Sequence, residues 1–462
     1  MIRSALLASS IAFAAAAQGG SVSAQQPPAP AQQPEAPVQP PGPPAANAVT
    51  LERAIQISLE RNYDQLRTQY LALSADKDVT ISRSAILPSL DFNASVTPTR
   101  RNGPVFVSGV EVPGATTTDT FRVYTFGASL TQLLFDGGKW WNNLSAASST
   151  LASSEANVEE QRLTTVFTVE QRFYELVRQQ RQLKVLGDAA TRSRDQADFT
   201  QRLFEGGRAT QADVYAARAN RDNDEINRLG EEARVELARQ DLALAIGADP
   251  AEPLAIVEPA AMNQEPAQPP PAKDAVGKAL SQRPSLKAFA FAAESQRNLA
   301  SAAKGGYWPQ LTAQLAYNRT TNNFNTLTDP DLSVNNTLSA TIGLRWNLFQ
   351  GLNTKASVEK ADIAVLLAEN DLQNGRRGVA SDVERAVAQL AVARQQARIA
   401  SQTLVNANEN LRLARTRQQV GVGTQLEVRD AELKLTQSEL ARANALVDGH
   451  EAESALRRAT GG

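Results

Sequence analysis

The chain of 462 residues has no cysteine and a single histidine, His450. Those scarcities exclude disulfide frameworks, thiolate nucleophiles, Cys/His zinc sites and Ser-His-Asp triads with a spare imidazole. A charge excess of either sign is lacking too. Lys and Arg number 47 against 49 Asp and Glu, so nothing points to a polyanionic partner such as nucleic acid. The Arg-rich segments carry mixed charge and read as solvated helix faces. No segment past the first 24 residues comes near the roughly 18 consecutive apolar residues a membrane helix needs, so if this chain spans a bilayer it does so with strands. Proline is absent from 114–249 and 331–462, yet nine fall in 27–44 and seven in 250–271. Aromatics are few, and fourteen of them lie in two windows, 89–141 and 305–350. A chain this uneven is not one mixed globular enzyme.

What is present begins with an address. Arg3 precedes an apolar stretch from Ala5 to Ala17 that ends in Val22-Ser23-Ala24, the pattern of a secretory signal peptide spanning 1–24. No cysteine follows the cleavage site, so lipid attachment there is excluded. Residues 25–48 are rich in Pro, Gln and Ala and are expected to form an extended, poorly ordered tail.

The remainder is a duplication. Leu134-Phe135-Asp136-Gly137-Gly138 recurs as Leu348-Phe349-Gln350-Gly351-Leu352, an offset of 214 residues. Gly207-Arg208-Ala209-Thr210 recurs as Gly421-Val422-Gly423-Thr424 at the same offset. Leu87-Pro88-Ser89-Leu90 pairs with Trp308-Pro309-Gln310-Leu311 at 221, which places a longer hairpin loop in the first copy. The first repeat therefore spans 49–249, a Pro-rich connector 250–273, and the second repeat 274–462.

Two periodicities divide each repeat. Val383, Leu390, Ala397, Leu404 and Leu411 recur every seven residues, and Ala386, Ala393, Ala400, Ala407 and Ala414 follow three places later. This a/d heptad predicts coiled helices whose alanine seam lets backbones approach closely. Val169, Leu176, Leu183, Ala190 and Ala197 continue one stripe in the first repeat, where the second stripe is partly polar. From Gly137 to Gly207, as from Gly351 to Gly421, continuous helix would run roughly 105 Å, too long for a compact domain. The aromatic windows instead alternate apolar and polar residues: Leu90, Phe92, Ala94 and Val96; Tyr124, Phe126, Ala128 and Leu130; Leu311, Ala313, Leu315 and Tyr317; and Leu338 through Leu348. Segments of eight to eleven residues with this period suit transmembrane strands, grouped as hairpins 89–135 and 309–349, with 101–120 and 321–336 as exposed loops. Four strands cannot close a barrel, and an open edge is not tolerated in lipid. Two chains would supply eight strands with a filled interior, and three would supply twelve with a lumen.

The strand-to-helix junctions L-F-D-G-G and L-F-Q-G, the strand starts P-S-L and P-Q-L, Arg283-Pro284-Ser285-Leu286, and the turns G-R-A-T-Q-A-D-V and G-V-G-T-Q-L-E-V together resemble the TolC family of outer-membrane efflux and type I secretion channels. The resemblance covers residues 51–461. It implies a mainly α fold with a transmembrane β-barrel: a homotrimer with a twelve-stranded barrel in outer-membrane lipid and a twelve-helix α-barrel tunnel in the periplasm. It also implies docking to a periplasmic adaptor (membrane fusion) protein and an inner-membrane RND or ABC transporter. The role is that of a passive exit duct, with no cofactor and no catalysis. A trimeric coiled-coil adhesin would gather its four strands at the C-terminus, and a soluble periplasmic scaffold would need no strands of this kind.

The informative sites are the far helix turns. Gly206-Gly207 and Gly421-Gly423 can end one helix, and Thr210 and Thr424 can cap the next. Thr210-x-x-Asp213 and Thr424-x-x-Glu427 are capping-box patterns, with Glu427 the standard form and Asp213 a shorter variant. Under threefold symmetry Asp213, Glu427 and Asp430 would also form a charged entrance ring. In the family, acidic residues matching Glu427 and Asp430 line that entrance. The turns Gly207, Arg208, Ala209, Thr210 and Gly421, Val422, Gly423, Thr424 resemble adaptor-docking tips. Gly423 stands where the family has a basic constriction residue, which leaves Gln425 and Arg429 as candidate gate contacts. His450, in the last helix, is expected to be a surface or packing residue rather than a ligand.

Overall fold

The computed structural model describes residues 48–327 and 336–462. The signal peptide, the tail up to residue 47 and part of the second hairpin loop lie outside those residues. The first repeat runs α1 (Leu51–Arg61), α2 (Tyr63–Ser84), β1 (Ser89–Val107), β2 (Val110–Phe135), α3 (Lys139–Glu205) and α4 (Gln211–Ile246). The second runs α5 (Ala272–Gln282), α6 (Pro284–Lys304), β3 (Gln310–Thr321), one helical turn α7 (Phe324–Leu327), β4 (Asn336–Arg345), α8 (Asn353–Gln419) and α9 (Gln425–Thr460). Helices α3 and α8 are both 67 residues long, and α4 and α9 are both 36, so the duplication is carried into the elements. At about 1.5 Å per residue the longer pair each extend roughly 100 Å.

The heptad stripes are buried as their spacing predicts. Val383, Ala386, Leu390, Ala393, Ala397, Ala407, Leu411 and Ala414 are all buried, and Ala400 and Leu404 are half-buried. The tipward part, Ala397 to Ala414, packs α8 against α9 through Val428, Ala431, Leu435 and Leu446, and the part from Val383 to Ala393 packs against Ala275 and Ala279 of α5, Leu286 of α6 and Leu456 of α9. In the first repeat Val169, Phe173, Leu176 and Val177 of α3 meet Ala238, Leu242 and Ile246 of α4. Burying side chains of this size contributes about 1.5–3 kcal/mol each. No helix among the described residues is long and apolar enough to cross a membrane.

The strands form one antiparallel sheet in the order β1-β2-β3-β4, because β2 pairs with β3 and joins the two hairpins. Its apolar residues share one face in continuous rows: Leu90, Leu130, Leu315 and Ala340 lie side by side, as do Phe92, Ala128, Tyr317 and Leu338. That face is bare, with Leu90, Leu338, Ile342 and Leu344 about two-thirds or more exposed. Asp91, Asn93 and Gln314 point to the other face. Gly127 is required there, since a Cβ would sit 2.7 Å from Asn93 Oδ1 and 2.4 Å from Asn318 Oδ1.

Two expectations about the strands are corrected. Residues 101–120 are not a loop: β1 and β2 are 19 and 26 residues long, paired through to Val107 and Val110 around a tight turn at Ser108 and Gly109. Both turn residues have positive φ, the geometry that matches strand twist in a two-residue hairpin. Strand β4 stops at Arg345 rather than continuing to Leu348: its last partner is Gln310, the residue before which is Pro309 with no amide to donate, and Trp346 turns its indole Nε1 to donate to the Tyr307 carbonyl at 3.1 Å.

Between the repeats the chain crosses the helices at mid-height. Val49 bridges Ile256, Met262 is buried against α3 and α4, and Pro266 lies directly over Gly449 of α9. A Cβ at Gly449 would fall 2.0 Å from Pro266 Cγ, so only glycine admits the crossing. The Ala267 amide donates to Glu453, whose carboxylate also faces His450 Nδ1 at 3.2 Å. His450 is thus a packing residue, buried beside Tyr174.

Candidate functional site

Both long helices end alike. Gly207 and Gly421 adopt left-handed φ of 71° and 80°, and the following amides, Arg208 and Val422, donate to Leu203 and Arg417 carbonyls at 2.7 and 3.0 Å. These are paired Schellman closures, which satisfy carbonyls the helix end would otherwise orphan. Thr210 and Thr424 then open α4 and α9, each hydroxyl accepting from the amide three residues on at 3.2 Å.

Here the capping expectation is reversed for one residue. Asp213 completes the reciprocal box: its Oδ2 accepts from the Thr210 amide at 2.9 Å and from the Thr210 hydroxyl at 2.7 Å. Those bonds hold its carboxyl below the ordinary range. Glu427, the standard residue for such a box, does not return a bond and instead faces Arg417 Nε at 3.5 Å. The reason lies across the turn. Arg417 occupies the position held by Leu203 in the first repeat, so only Glu427 has a cation competing for it.

Asp430 lies one turn on from Glu427 and pairs with Lys434 at 2.6 Å, both side chains more than half exposed. Gln425 accepts from Thr200 Oγ1 of α3 at 3.3 Å. Arg429 makes a two-pronged bond to Asp224 of α4 at 2.8 and 3.1 Å. Both groups are largely withdrawn from water, with side-chain exposures of 19% and 11%. Asp213, Gln425 and Arg429 share a cavity of about 230 Å³ between α3, α4 and α9, and Glu427 and Asp430 lie outside its lining. Gly423 has no room for a basic side chain or any other, since a Cβ would meet the Gln418 amide at 2.9 Å. Val420, Val422 and Leu426 stand bare at the second tip, each more than two-thirds exposed.

Sequence reasoning missed Asp224 and Arg417. Asp224 lies 205 residues from Arg429, and no local pattern links them. Lys434 was within reach of reading, because Asp430 and Lys434 have the i,i+4 spacing of a helical ion pair.

Higher up, the seam between α3 and α9 is polar along its length. Arg178 bonds Asp448 and Glu451 at 2.6 and 2.9 Å, Arg192 reaches Glu439 at 3.2 Å, and Gln182 bonds Asn444 at 2.6 Å. Burial pushes the Glu451 carboxyl up against the opposing pull of Arg178. Among the described residues no group of His, Cys, Asp and Glu could hold a metal ion.

Residues 54–248 and 275–462 match the family model described as outer membrane efflux protein. The outer membrane protein TolC of Vibrio cholerae is 23% identical over 402 residues, covering 85% of this chain and 87% of its own. A membrane protein from Pseudomonas aeruginosa has the same fold, with a TM-score of 0.77 at 19% identity over 92% of this chain and 98% of that one. The open state of the MtrE outer membrane channel of Neisseria gonorrhoeae superposes with a TM-score of 0.73 at 19% identity, covering 89% of each chain.

Proposed function

The chain belongs to the outer membrane efflux protein family, and on that premise we propose how its parts carry out export. It is an outer-membrane channel of a tripartite efflux system, from a family of transport proteins rather than enzymes. That membership removes the adhesin and scaffold alternatives. Channels of this kind work with a periplasmic adaptor and an inner-membrane transporter, and for this chain we assign the adaptor contact to the tip turns Gly207–Thr210 and Gly421–Thr424. The bare Val422 and the exposed Arg208 at those turns support it, as a mixed apolar and charged docking surface. An inner-membrane RND or ABC transporter would complete the path.

The observation that carries the assembly is the sheet. Its β1 and β4 edges have no partner among the described residues, while its apolar face suits lipid. In lipid an unpaired edge leaves amides and carbonyls unsatisfied at several kcal/mol each, so the sheet must close. Three copies, each setting β4 against the next copy's β1, give twelve strands and a water-filled lumen lined by the face that bears Asp91, Asn93 and Gln314. The long helices then form the tunnel, with Glu427 and Asp430 repeated three times at its entrance. Asp213, held in its own cap, adds charge there but is not free to reorient. We assign the gate contact to Arg429 and Asp224, which tie α9 to α4 inside one protomer, with Gln425 supporting it through Thr200.

The absence of native cysteine makes the assembly directly testable. Asp91→Cys on β1 combined with Thr341→Cys on β4 is expected to yield covalent trimers in oxidised outer membranes. Monomers only, or protein confined to the soluble periplasm, would reject the trimeric barrel.

A further inference from the structure

The β1–β2 ribbon continues past the place where β3 ends. Strand β2 pairs with β3 only from Tyr124 onward, so residues 97–123 form a two-stranded extension beyond the four-stranded sheet. The two faces of this extension carry different charge. On the face continuous with the polar side of the sheet, Arg101 lies directly opposite Asp119 in the register. On the face continuous with the apolar side, Arg100 lies opposite Thr120 and Arg122 opposite Pro98. Arg100 and Arg122 are therefore diagonal neighbours on one face, about 7–8 Å apart by strand geometry, and both are exposed. The extension's two carboxylates do not serve them: Asp119 is on the other face and Glu111 lies near the hairpin tip. Like charges so placed repel unless an anion sits between them.

Their height decides which anion. The apolar face of β2 runs from Phe135 to Tyr124, about 37 Å along the strand at ~3.4 Å per residue. At the usual 35–45° tilt that spans about 28 Å of membrane normal, close to the ~25 Å apolar band of an outer-membrane barrel. Arg122 lies two residues beyond Tyr124, roughly 5 Å above the band, and Arg100, opposite Thr120, lies roughly 10 Å above it. The headgroup layer on each side of a bilayer is about 5–8 Å thick. Arg122 thus falls within the headgroup layer, and Arg100 stands just outside it, where its long side chain can snorkel back to the same phosphates on the surface that faces lipid.

We propose that Arg100 and Arg122 form an anchor for the phosphate-bearing headgroups of outer-leaflet lipid, fixing the depth of the barrel and neutralising the paired arginines. Guanidinium forks suit phosphate because two parallel N–H groups meet two oxygens. The inference rests on the sheet being a lipid-facing barrel wall, so its test keeps the two readings apart. Full-length protein would be reconstituted into phosphatidylcholine vesicles doped with either bisphosphoryl lipid A or its dephosphorylated form, and single-channel conductance would report insertion in the same vesicles. Lipid bound to the re-solubilised trimer would then be quantified by native mass spectrometry. Wild type should retain the phosphorylated lipid about tenfold or more over the dephosphorylated one, a preference that falls as salt is raised. Arg100→Gln with Arg122→Gln should abolish that preference while conductance persists, and Arg101→Gln, on the opposite face, should keep it. Equal retention of both lipids by wild type, an unchanged preference in the double variant, or an equal loss in Arg101→Gln would each overturn the anchor. Loss of conductance in wild type would instead strike the barrel reading.

Discussion

The tipward halves of the two long-helix pairs occupy equivalent positions in the duplication and are built of different material. In the α8/α9 pair the buried residues are Ala407, Leu411, Ala414, Val428, Ala431 and Leu435. The equivalents 214 residues earlier are Ser193, Ala197, Thr200, Val214, Ala217 and Arg221. Two leucines become Ala and Arg, and two alanines become Ser and Thr, whose hydroxyls turn back to the carbonyls of Ala190 and Gln196 at 3.1 and 2.9 Å. Further along α4, Asp224 and Glu231 are buried where α9 has Ser438 and Ala445. One pair has an apolar cluster at its centre, with a single buried carboxylate, Glu432, paired to Arg415 at 2.9 Å beside it. The other keeps its polar groups inward and meets the first through Asp224, which receives Arg429 of α9. The difference teaches that the two pairs are not interchangeable staves: α8/α9 rests mainly on an apolar cluster with one internal ion pair, and α3/α4 turns several polar groups inward, Asp224 among them.

That contrast can be attacked at several points. Leu411→Ala should destabilise the α8/α9 tip by about 2–5 kcal/mol, since it removes the large side chain of the apolar cluster. A variant melting at the wild-type temperature would show that burial does not hold this tip together. Asp224→Ala leaves Arg429 without its partner in a site mostly removed from water, at about 1–3 kcal/mol locally. Its larger readout is functional: single-channel conductance in planar bilayers should rise as α9 loses its tie to α4, and an unchanged closed state would remove the pair from the gate.

Glu427→Ala with Asp430→Ala should leave the stability within about 0.5 kcal/mol of wild type, because both carboxylates are exposed and their ion pairs weak. Cation preference and blockage by multivalent cations should fall, and constant selectivity would sink the entrance ring. The smallest effect is expected from Asp213→Asn. The Thr210 bonds lower the Asp213 pKa, so the stability it lends is fully present above its unfolded value of about 3.9 and is lost as pH drops through the folded value. The melting difference between wild type and Asp213→Asn should therefore shrink as the solution is acidified below about pH 4. A difference constant with pH would mean that the carboxylate's charge plays no part in the cap.

The long helices, the duplication and the lipid-facing rows were legible because each rests on a one-dimensional period or an offset. Val383 through Ala414 needed only a spacing of seven to be assigned to a seam. The β1–β2 extension was not legible, since Gly103, Pro104, Pro113 and Gly114 are breakers in isolation, yet Thr116, Thr117 and Thr118 pair across the ribbon and Ser108-Gly109 closes it. At the tips, Thr424 and Glu427 had the form of a capping box, and a side chain ten residues back, Arg417, overrode it. Asp224 was invisible because the bond that gives it meaning spans the duplication.

The glycine notch at Gly449 has a mechanical consequence. The connector bears on α9 there through Pro266, while Val49 and Ile256 bind the start of the chain to the same strap. From Gly449 to the turn at Gly423 is about 39 Å of unbroken lever at 1.5 Å per residue. A tilt of about 10° about such a fulcrum carries the helix end sideways by about 7 Å, enough to part Arg429 from Asp224 and Arg192 from Glu439 while the strap stays in place. The strap is thus the fixed point of that lever, and its closeness to α9 depends on the one position where the helix lacks a side chain.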